Sequence, residues 1–388
     1  MKRCSEVVLN GHPDKFCDIL ADRIIRHAYQ TDPEAYAQVE VSVWSDQLFF
    51  TGGVVTSQKL EIDLKKIIVD TGNEIGYNAA NHIDAAKYKI SDYICWLTDD
   101  PRKWSEFVND QAIVIGYAGY DAKTGFLPPE HYASWYFREK IIQALKPFDH
   151  LNHLTHTPLP PFPASAPFPA SAPDPLSAFS AGPDGKILVI MDENSGEWRI
   201  KTLLLTLQQQ EASIFIEFTQ ACSRALREAY DQLRESDNRW IGEWKDINVL
   251  INPNGPLVNG GSDGDNGQTG RKLVMDYYGP RIPLGGGALY GKDLAHIDRL
   301  GSYAARKYAF ELVTRGATEA MVTVCYAPGM NVPLDITLRT DIKPHMDPYS
   351  YFDFNEMRKL IKCEDLSYEL DKLGTFYNPI LSFNNTEY

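Results

Sequence analysis

Nowhere does the chain carry an apolar run of the roughly 20 residues that a membrane-spanning helix requires. The opening stretch, Met1-Lys2-Arg3-Cys4-Ser5-Glu6, is basic but is not followed by a long apolar segment, so no signal peptide is expected. Cysteine is scarce and scattered. Cys4, Cys17, Cys95, Cys222, Cys325 and Cys363 stand singly with no C-x-x-C pair, which predicts a reducing cytoplasm rather than a disulfide framework. Positive charge is also short. Lys and Arg number 38 against 52 Asp and Glu, and a net charge of −14 leaves no surplus to neutralise nucleic-acid phosphates. An anionic ligand would need its cations gathered in one place. What the chain does have is 388 residues, 44% of them hydrophobic, enough for a buried core and more than one domain.

Hydrophobic periodicity predicts a helix over 13–30, opened by Pro13 and carrying Phe16, Ile19, Leu20, Ile24 and Ala28 at helical spacing. Strands are expected over 39–44 and 48–55 with Ser45-Asp46-Gln47 as the turn, then a helix marked by Leu64, Ile67, Ile68 and Ile75. The order recurs with strands at 186–191 and 198–207 and a helix over 212–234. It recurs again with strands at 319–326 and 334–339 and a helix over 351–362. Three strand–strand–helix units predict an α+β fold of three similar modules, each with helices on one sheet face. The expected divisions are 1–105, 106–245 and 246–388.

Residues 157–183 differ from the rest. Pro, Ala and Ser dominate, and Pro-Phe-Pro-Ala-Ser-Ala occurs at 161–166 and again at 167–172. Such a stretch forms neither ladder nor helix and is expected to be an extended, exposed insertion. His150, His153 and His156 precede it at a spacing of three, with Pro158 close behind, and are read as a linker cluster rather than a metal site.

Three glycine-rich stretches invite a ligand. Gly11-His12-Pro13-Asp14-Lys15 opens a helix, where free N–H groups and the dipole suit an anion, although His12 and Asp14 also suit plain capping. Residues 252–272 combine many glycines, which admit close backbone approach, with Arg271 and Lys272 at the end. Residues 285–293 read Gly-Gly-Gly-Ala-Leu-Tyr-Gly-Lys-Asp. They miss the phosphate-loop pattern, because Asp293 follows Lys292 where Ser or Thr belongs.

Taken together, the 11–15 string, the 264–272 string ending Thr-Gly-Arg-Lys, the 285–293 string, Asp298-Arg299 and Tyr303-Ala304-Ala305-Arg306 resemble the methionine adenosyltransferase (S-adenosylmethionine synthetase) family. Asp110-Gln111, Pro183-Asp184-Gly185-Lys186 and Tyr326-Ala327-Pro328-Gly329 are further echoes in the family's order. The resemblance implies pseudo-threefold α+β domains and a homodimer, often paired into a tetramer, with active sites between subunits. It implies attack of methionine sulfur on C5′ of ATP and cleavage of the displaced tripolyphosphate, with two Mg²⁺ per site and K⁺. By position it assigns Asp14 and Asp298 to magnesium and Glu40 to potassium. His12, Lys186, Arg271, Lys272 and Lys292 fall to catalysis and the triphosphate. Asp110, Asp184, Asp265 and Ala288 fall to the nucleotide, Asp265 also to the amino acid.

The chain departs from that pattern on the amino-acid side. Gly52-Gly53-Val54 stands where the family has Gly-Gly-Glu, Leu97 where it has glutamine, and His296 where it has a second lysine. Pro256-Leu257 replaces an Arg-Phe pair. Val54, Leu97 and His296 therefore mark an altered amino-acid pocket, with Asp265, Asp99 or Asp100 as substitute partners for an ammonium. Residues 98–107 are expected to act as a lid. A changed thioether substrate, or a catalytically weak regulatory subunit, are the alternatives.

Overall fold

The computed structural model describes residues 1–78, 82–144, 181–211 and 213–361. In chain order the first third holds β1 (Lys2–Val8), α1 (Pro13–Thr31), β2 (Tyr36–Trp44), β3 (Gln47–Thr56), α2 (Leu64–Ile75), β4 (Lys89–Thr98) and α3 (Arg102–Ser105). Next come β5 (Ala112–Gly119), α4 (Pro129–Ala144), β6 (Ala181–Asn194), β7 (Glu197–Gln209), α5 (Phe215–Ser236) and β8 (Asn248–Ile251). The remainder is β9 (Gly267–Gln268), α6 (Leu273–Asp276), α7 (Ile297–Thr314), β10 (Glu319–Tyr326), β11 (Asp335–Thr340), α8 (Pro348–Tyr351) and α9 (Phe354–Leu360).

The strands form three sheets, ordered β4-β3-β2-β9, β1-β6-β7-β8 and β11-β10-β5. Helices cover one face of each: α1 lies on β2, α4 on β1 and β6, and α7 on β5 and β10. This is the α+β arrangement that the sequence predicts. In β2 the reason is visible in the alternation, since Ala37, Val39, Val41 and Val43 are buried while Tyr36, Gln38, Glu40 and Ser42 are only half-buried. All three sheets cross the divisions at 105 and 245: β1 pairs with β6, β9 with β2, and β5 with β10.

Helix α1 begins where expected because His12 caps it and Pro13 occupies its first turn. It ends at Asp32, just before Pro33. Phe16, Leu20, Ile24 and Ala28 join the apolar core over the first sheet. A larger core joins the other two sheets to α4, α5 and α7. No helix among the described residues is long and apolar enough to cross a membrane.

Two expectations need correction. The helix expected over 351–362 is broken, because Phe352 ends α8 and the Asp353 carboxylate caps α9 by accepting from the Asn355 and Glu356 amides at 3.0 and 3.3 Å. The proline-rich stretch ends earlier than its composition suggests. Ala181-Gly182-Pro183 belongs to β6, where the ladder to β7 shifts register between Ala181 and Gly185 and so tolerates a proline. The two hexapeptide copies and His150, His153 and His156 lie outside the described residues. Residues 98–107 contain α3, whose Trp104 ring stacks on Tyr36 at 5.6 Å while Ser105 O accepts from Arg358 Nη1 at 3.1 Å. That segment is thus fastened to β2 and α9.

Candidate active site

Two clusters of charged side chains form around the N-termini of α1 and α7, and they are built alike. At α1 the His12 ring is the N-cap, its Nδ1 accepting from the Asp14 amide at 3.2 Å. Lys272 Nζ reaches the Asp14 carboxylate, Arg271 Nε stands 3.7 Å from it, and Gln268 N donates to it at 2.9 Å. At α7 the His296 ring is the N-cap, its Nδ1 accepting from the Asp298 amide, also at 3.2 Å. Lys292 Nζ reaches the Asp298 carboxylate. Each cluster thus holds a capping histidine, an aspartate two residues on, and a lysine supplied by a glycine-rich loop. Among the described residues no ion pair joins one cluster to the other.

The cap geometry decides what the histidines can do. An Nδ1 that accepts a backbone N–H keeps its lone pair there, so the ring proton sits on Nε2. Both rings are 2% exposed, and both are held neutral. Burial, aided by the Lys272 charge, pushes His12 down to about 3. Burial, aided by Lys292, pushes His296 down to about 4. Each offers a neutral Nε2–H donor. A ring nitrogen of His296 lies within 4.8 Å of carboxylate oxygens of Asp110 and Asp298, a spacing open to a metal. The cap uses the lone pair that a metal would need, so the two carboxylates are the better ligands.

Other expected residues gather at these clusters. Lys186 on β6 contributes charge to the His12 surroundings. Asp184 is buried, its Oδ2 accepting from Gly261 N at 2.7 Å, and burial pushes its carboxyl up to about 6. Asp265 is exposed and bears electrostatically on Asp184. Ala288 lies against Gly270, which brings the two glycine-rich loops together. Glu40 stands on β2 near Lys292, and burial raises its carboxyl while Lys292 opposes the rise. The glycines are needed where backbone meets these groups: a Cβ on Gly287 would sit 2.3 Å from the Asp298 carboxylate carbon. Gly291, at φ +75°, passes Val39 O so closely that a Cβ would stand 2.2 Å away.

Val54 and Leu97 are not brought to either cluster. Val54 pairs with Ala37 in the β2–β3 ladder, is 1% exposed, and belongs to the core beneath α1 and α2. Strand parity puts it on the face opposite Glu40. Both residues line a separate cavity of about 710 Å³ with Leu60, Ile62, Asp92 and Trp96. Asp99 and Asp100 are engaged by Lys103 and Arg102 at 2.7 and 2.9 Å.

The sequence reading missed the residues that hold the loops in place. Asp14, Asp18 and Asp22 recur every fourth residue along α1, all buried. Asp18 Oδ1 accepts from Gly270 N at 2.9 Å, and Asp22 Oδ1 from Gly291 N at 2.8 Å, so one helix holds both glycine-rich loops. Lys15, fully buried, lies between Asp18 at 2.8 Å and Asp276. Burial would lower its ammonium, but the two carboxylates hold it well above the usual lysine range. Three aspartates at helical spacing on a helix with an apolar opposite face were the available signal.

Comparison with known proteins places the chain in a family. Residues 1–96 match the S-adenosylmethionine synthetase N-terminal domain, and residues 259–357 match the C-terminal domain. An S-adenosylmethionine synthase of Mesoplasma florum is 31% identical over 87% of this chain and 81% of its own length. One of Mycoplasma capricolum is 30% identical over 99% of this chain and 94% of its own. In fold, the structure titled an unusual S-adenosylmethionine synthetase from Campylobacter jejuni superposes with a TM-score of 0.75 over 99% of this chain and 97% of that one, at 22% identity. On this sequence likeness across nearly the whole chain, the protein belongs to the S-adenosylmethionine synthetase family.

Proposed function

We propose that the protein is a methionine adenosyltransferase, joining ATP and L-methionine into S-adenosylmethionine and hydrolysing the displaced tripolyphosphate to diphosphate and phosphate. The methionine sulfur lone pair forms the bond to C5′, and the C5′–O5′ electron pair leaves with the tripolyphosphate. Water then attacks a phosphorus atom of that chain and splits it. The observation that carries this reading is the matched pair of clusters, His12–Asp14–Lys272 and His296–Asp298–Lys292, each at a helix N-terminus beside a glycine-rich loop. Negative charge accumulates on the departing oxygens, and what the clusters supply is fixed donors and cations. Lys186, Arg271, Lys272 and Lys292 bind the phosphates. His12 donates its Nε2–H to an oxygen of the leaving group, with Asp184, Asp265, Asp110 and Ala288 around the nucleotide.

Asp14 and Asp298 are the residues that would hold magnesium. Their oxygen donors suit that ion, and each carboxylate is already oriented by a lysine. Magnesium would supply positive charge against the phosphate oxygens. Glu40 would hold potassium, since its burial disfavours an uncompensated carboxylate.

Self-association belongs to the same reading. The face of the first sheet that carries Glu40 also exposes Trp44, Phe49, Tyr93 and Leu97, with exposures from 43% to 68%. An apolar patch of this kind fits a second copy of the chain. The protein is proposed to work in the reducing cytoplasm, on the scatter of its single cysteines.

The test is to incubate the protein with ATP, Mg²⁺, K⁺ and L-methionine and to analyse the products by mass spectrometry. S-adenosylmethionine with phosphate and diphosphate is expected. Tripolyphosphate cleavage without a sulfonium product would reject the transferase reading. Replacing methionine with thioether analogues altered at the amino end reads how far recognition has changed.

A further inference from the structure

Lys292 is gripped at both ends by neighbouring residues of one helix turn. Its ammonium meets the Asp298 carboxylate. Its backbone is held by Arg299, the next residue of α7, whose Nη1 donates to Lys292 O at 2.8 Å. Arg299 in turn makes a two-pronged pair with Asp22 of α1, Nη1 to Oδ1 and Nη2 to Oδ2, both at 2.9 Å. Asp22 Oδ1 also accepts from Gly291 N at 2.8 Å. One charged pair thus holds the Gly291 amide and the Lys292 carbonyl, which bracket the lysine. Asp22 is 1% exposed and Arg299 2%. The strand edge does the rest, with Val39 N donating to Gly291 O and Asp293 N to Ala37 O, each at 2.7 Å.

Stability does not account for such a pair. Taking both charges out of water offsets most of their attraction, and apolar residues of similar volume often serve a core as well. What a planar fork adds is direction: its bonds fix the carbonyl and the amide in one orientation. A lysine side chain is long and loosely held, so where its ammonium acts depends on where its backbone is fixed. A displacement of one ångström can cost about a hundredfold in rate.

We propose that Asp22 and Arg299 are positioning residues for Lys292, setting where its ammonium meets the triphosphate. The proposal rests on the reading above that Lys292 binds those phosphates.

The decisive variant is the double replacement Asp22→Leu with Arg299→Met, which removes the clamp and leaves no lone buried charge. A folded double variant, checked by its melting temperature, is expected to lose about tenfold or more in kcat. Its KM for methionine should stay within about twofold of wild type, because the clamp touches only the lysine segment. Arg299→Lys, which keeps the charge and loses the fork, should fall between the two and serves if the double variant does not fold. Wild-type kcat in a folded variant overturns the proposal. If the wild-type protein forms no S-adenosylmethionine, it is the functional reading that fails. The clamp is then read from binding of inorganic tripolyphosphate with Mg²⁺, which weakens in the double variant if the proposal holds and is unchanged if it does not.

Discussion

Lys292 shows what one residue contributes when its surroundings are prepared. It is 7% exposed, faces Asp298, and stands near Glu40 on the same side of the first sheet. Lys292→Ala is expected to lower kcat by about 10²–10³-fold, the usual loss when one preorganised contact to developing charge is removed. A variant with wild-type turnover would remove Lys292 from the mechanism. His131 makes the opposite case, a buried residue whose role is structural. Its Nδ1 bonds Ser5 Oγ at 3.0 Å and its Nε2 accepts from Trp135 Nε1 at 3.2 Å. Burial pushes its imidazole down to about 3, against about 6.5 in an unfolded chain. Between those values the unfolded state binds a proton that the folded state refuses. The stability from this residue is therefore present above about pH 6.5 and lost toward pH 3, at about 1.4 kcal/mol per pH unit. Buried carboxyls such as Asp184 and Asp293, both pushed up to about 6, act in the opposite sense. The histidine share is therefore a difference, and urea unfolding of His131→Gln should show a shallower acid loss than wild type. Identical slopes would contradict it.

At the scale of elements, strand parity decides what sequence position alone leaves open. Gly52-Gly53-Val54 stands where the family has Gly-Gly-Glu, yet the β2–β3 register turns Val54 toward α1 and α2, away from Glu40 and Lys292. Val54→Glu is therefore expected to put a carboxylate into an apolar core and to destabilise the fold, rather than to restore a substrate contact. A lowered melting temperature with no gain in methionine affinity is the expected result. A tighter KM at unchanged stability would show that the side chain reaches substrate after all. Helices show the same division. Those with one apolar stripe, α1, α2 and α5, are legible from spacing. Helix α4 is buried on nearly every side, from Pro129 to Arg138, and so carries no stripe to read. Strands β1 and β5 are hard to read for a related reason, since their pairing partners lie far along the chain.

For the molecule as a whole, the exposed face of the first sheet is the surface with a consequence. Trp44, Phe49, Tyr93 and Leu97 share it with Glu40, and Lys292 meets the same strand at Gln38. Phe49→Lys combined with Tyr93→Lys should shift the mass measured by light scattering toward the single chain, because two like charges would meet their copies across a desolvated surface. Turnover should fall with it if sites form between copies. An unchanged mass would place any self-association elsewhere.

What was legible in the sequence is the set of candidate residues, because a phosphate-binding loop places glycines and cations within a few positions of each other. Gly285 to Lys292, Gly264 to Lys272 and Gly11 to Lys15 are local patterns and survive as such. The amphipathic helices and alternating strands were local too. Which of those residues meet depends on how the sheets and loops pack. Asp18 and Asp22 carry no sequence signal beyond their helical spacing, and the fold buries them with Asp14 where the loops of residues 267–272 and 285–293 close over α1. His296 stands in the sequence only as a replacement for a lysine, and its place as the N-cap of α7 shows in the fold. The burial of Asp14, Asp18 and Asp22 is set by contacts between segments more than two hundred residues apart, and no local pattern encodes it.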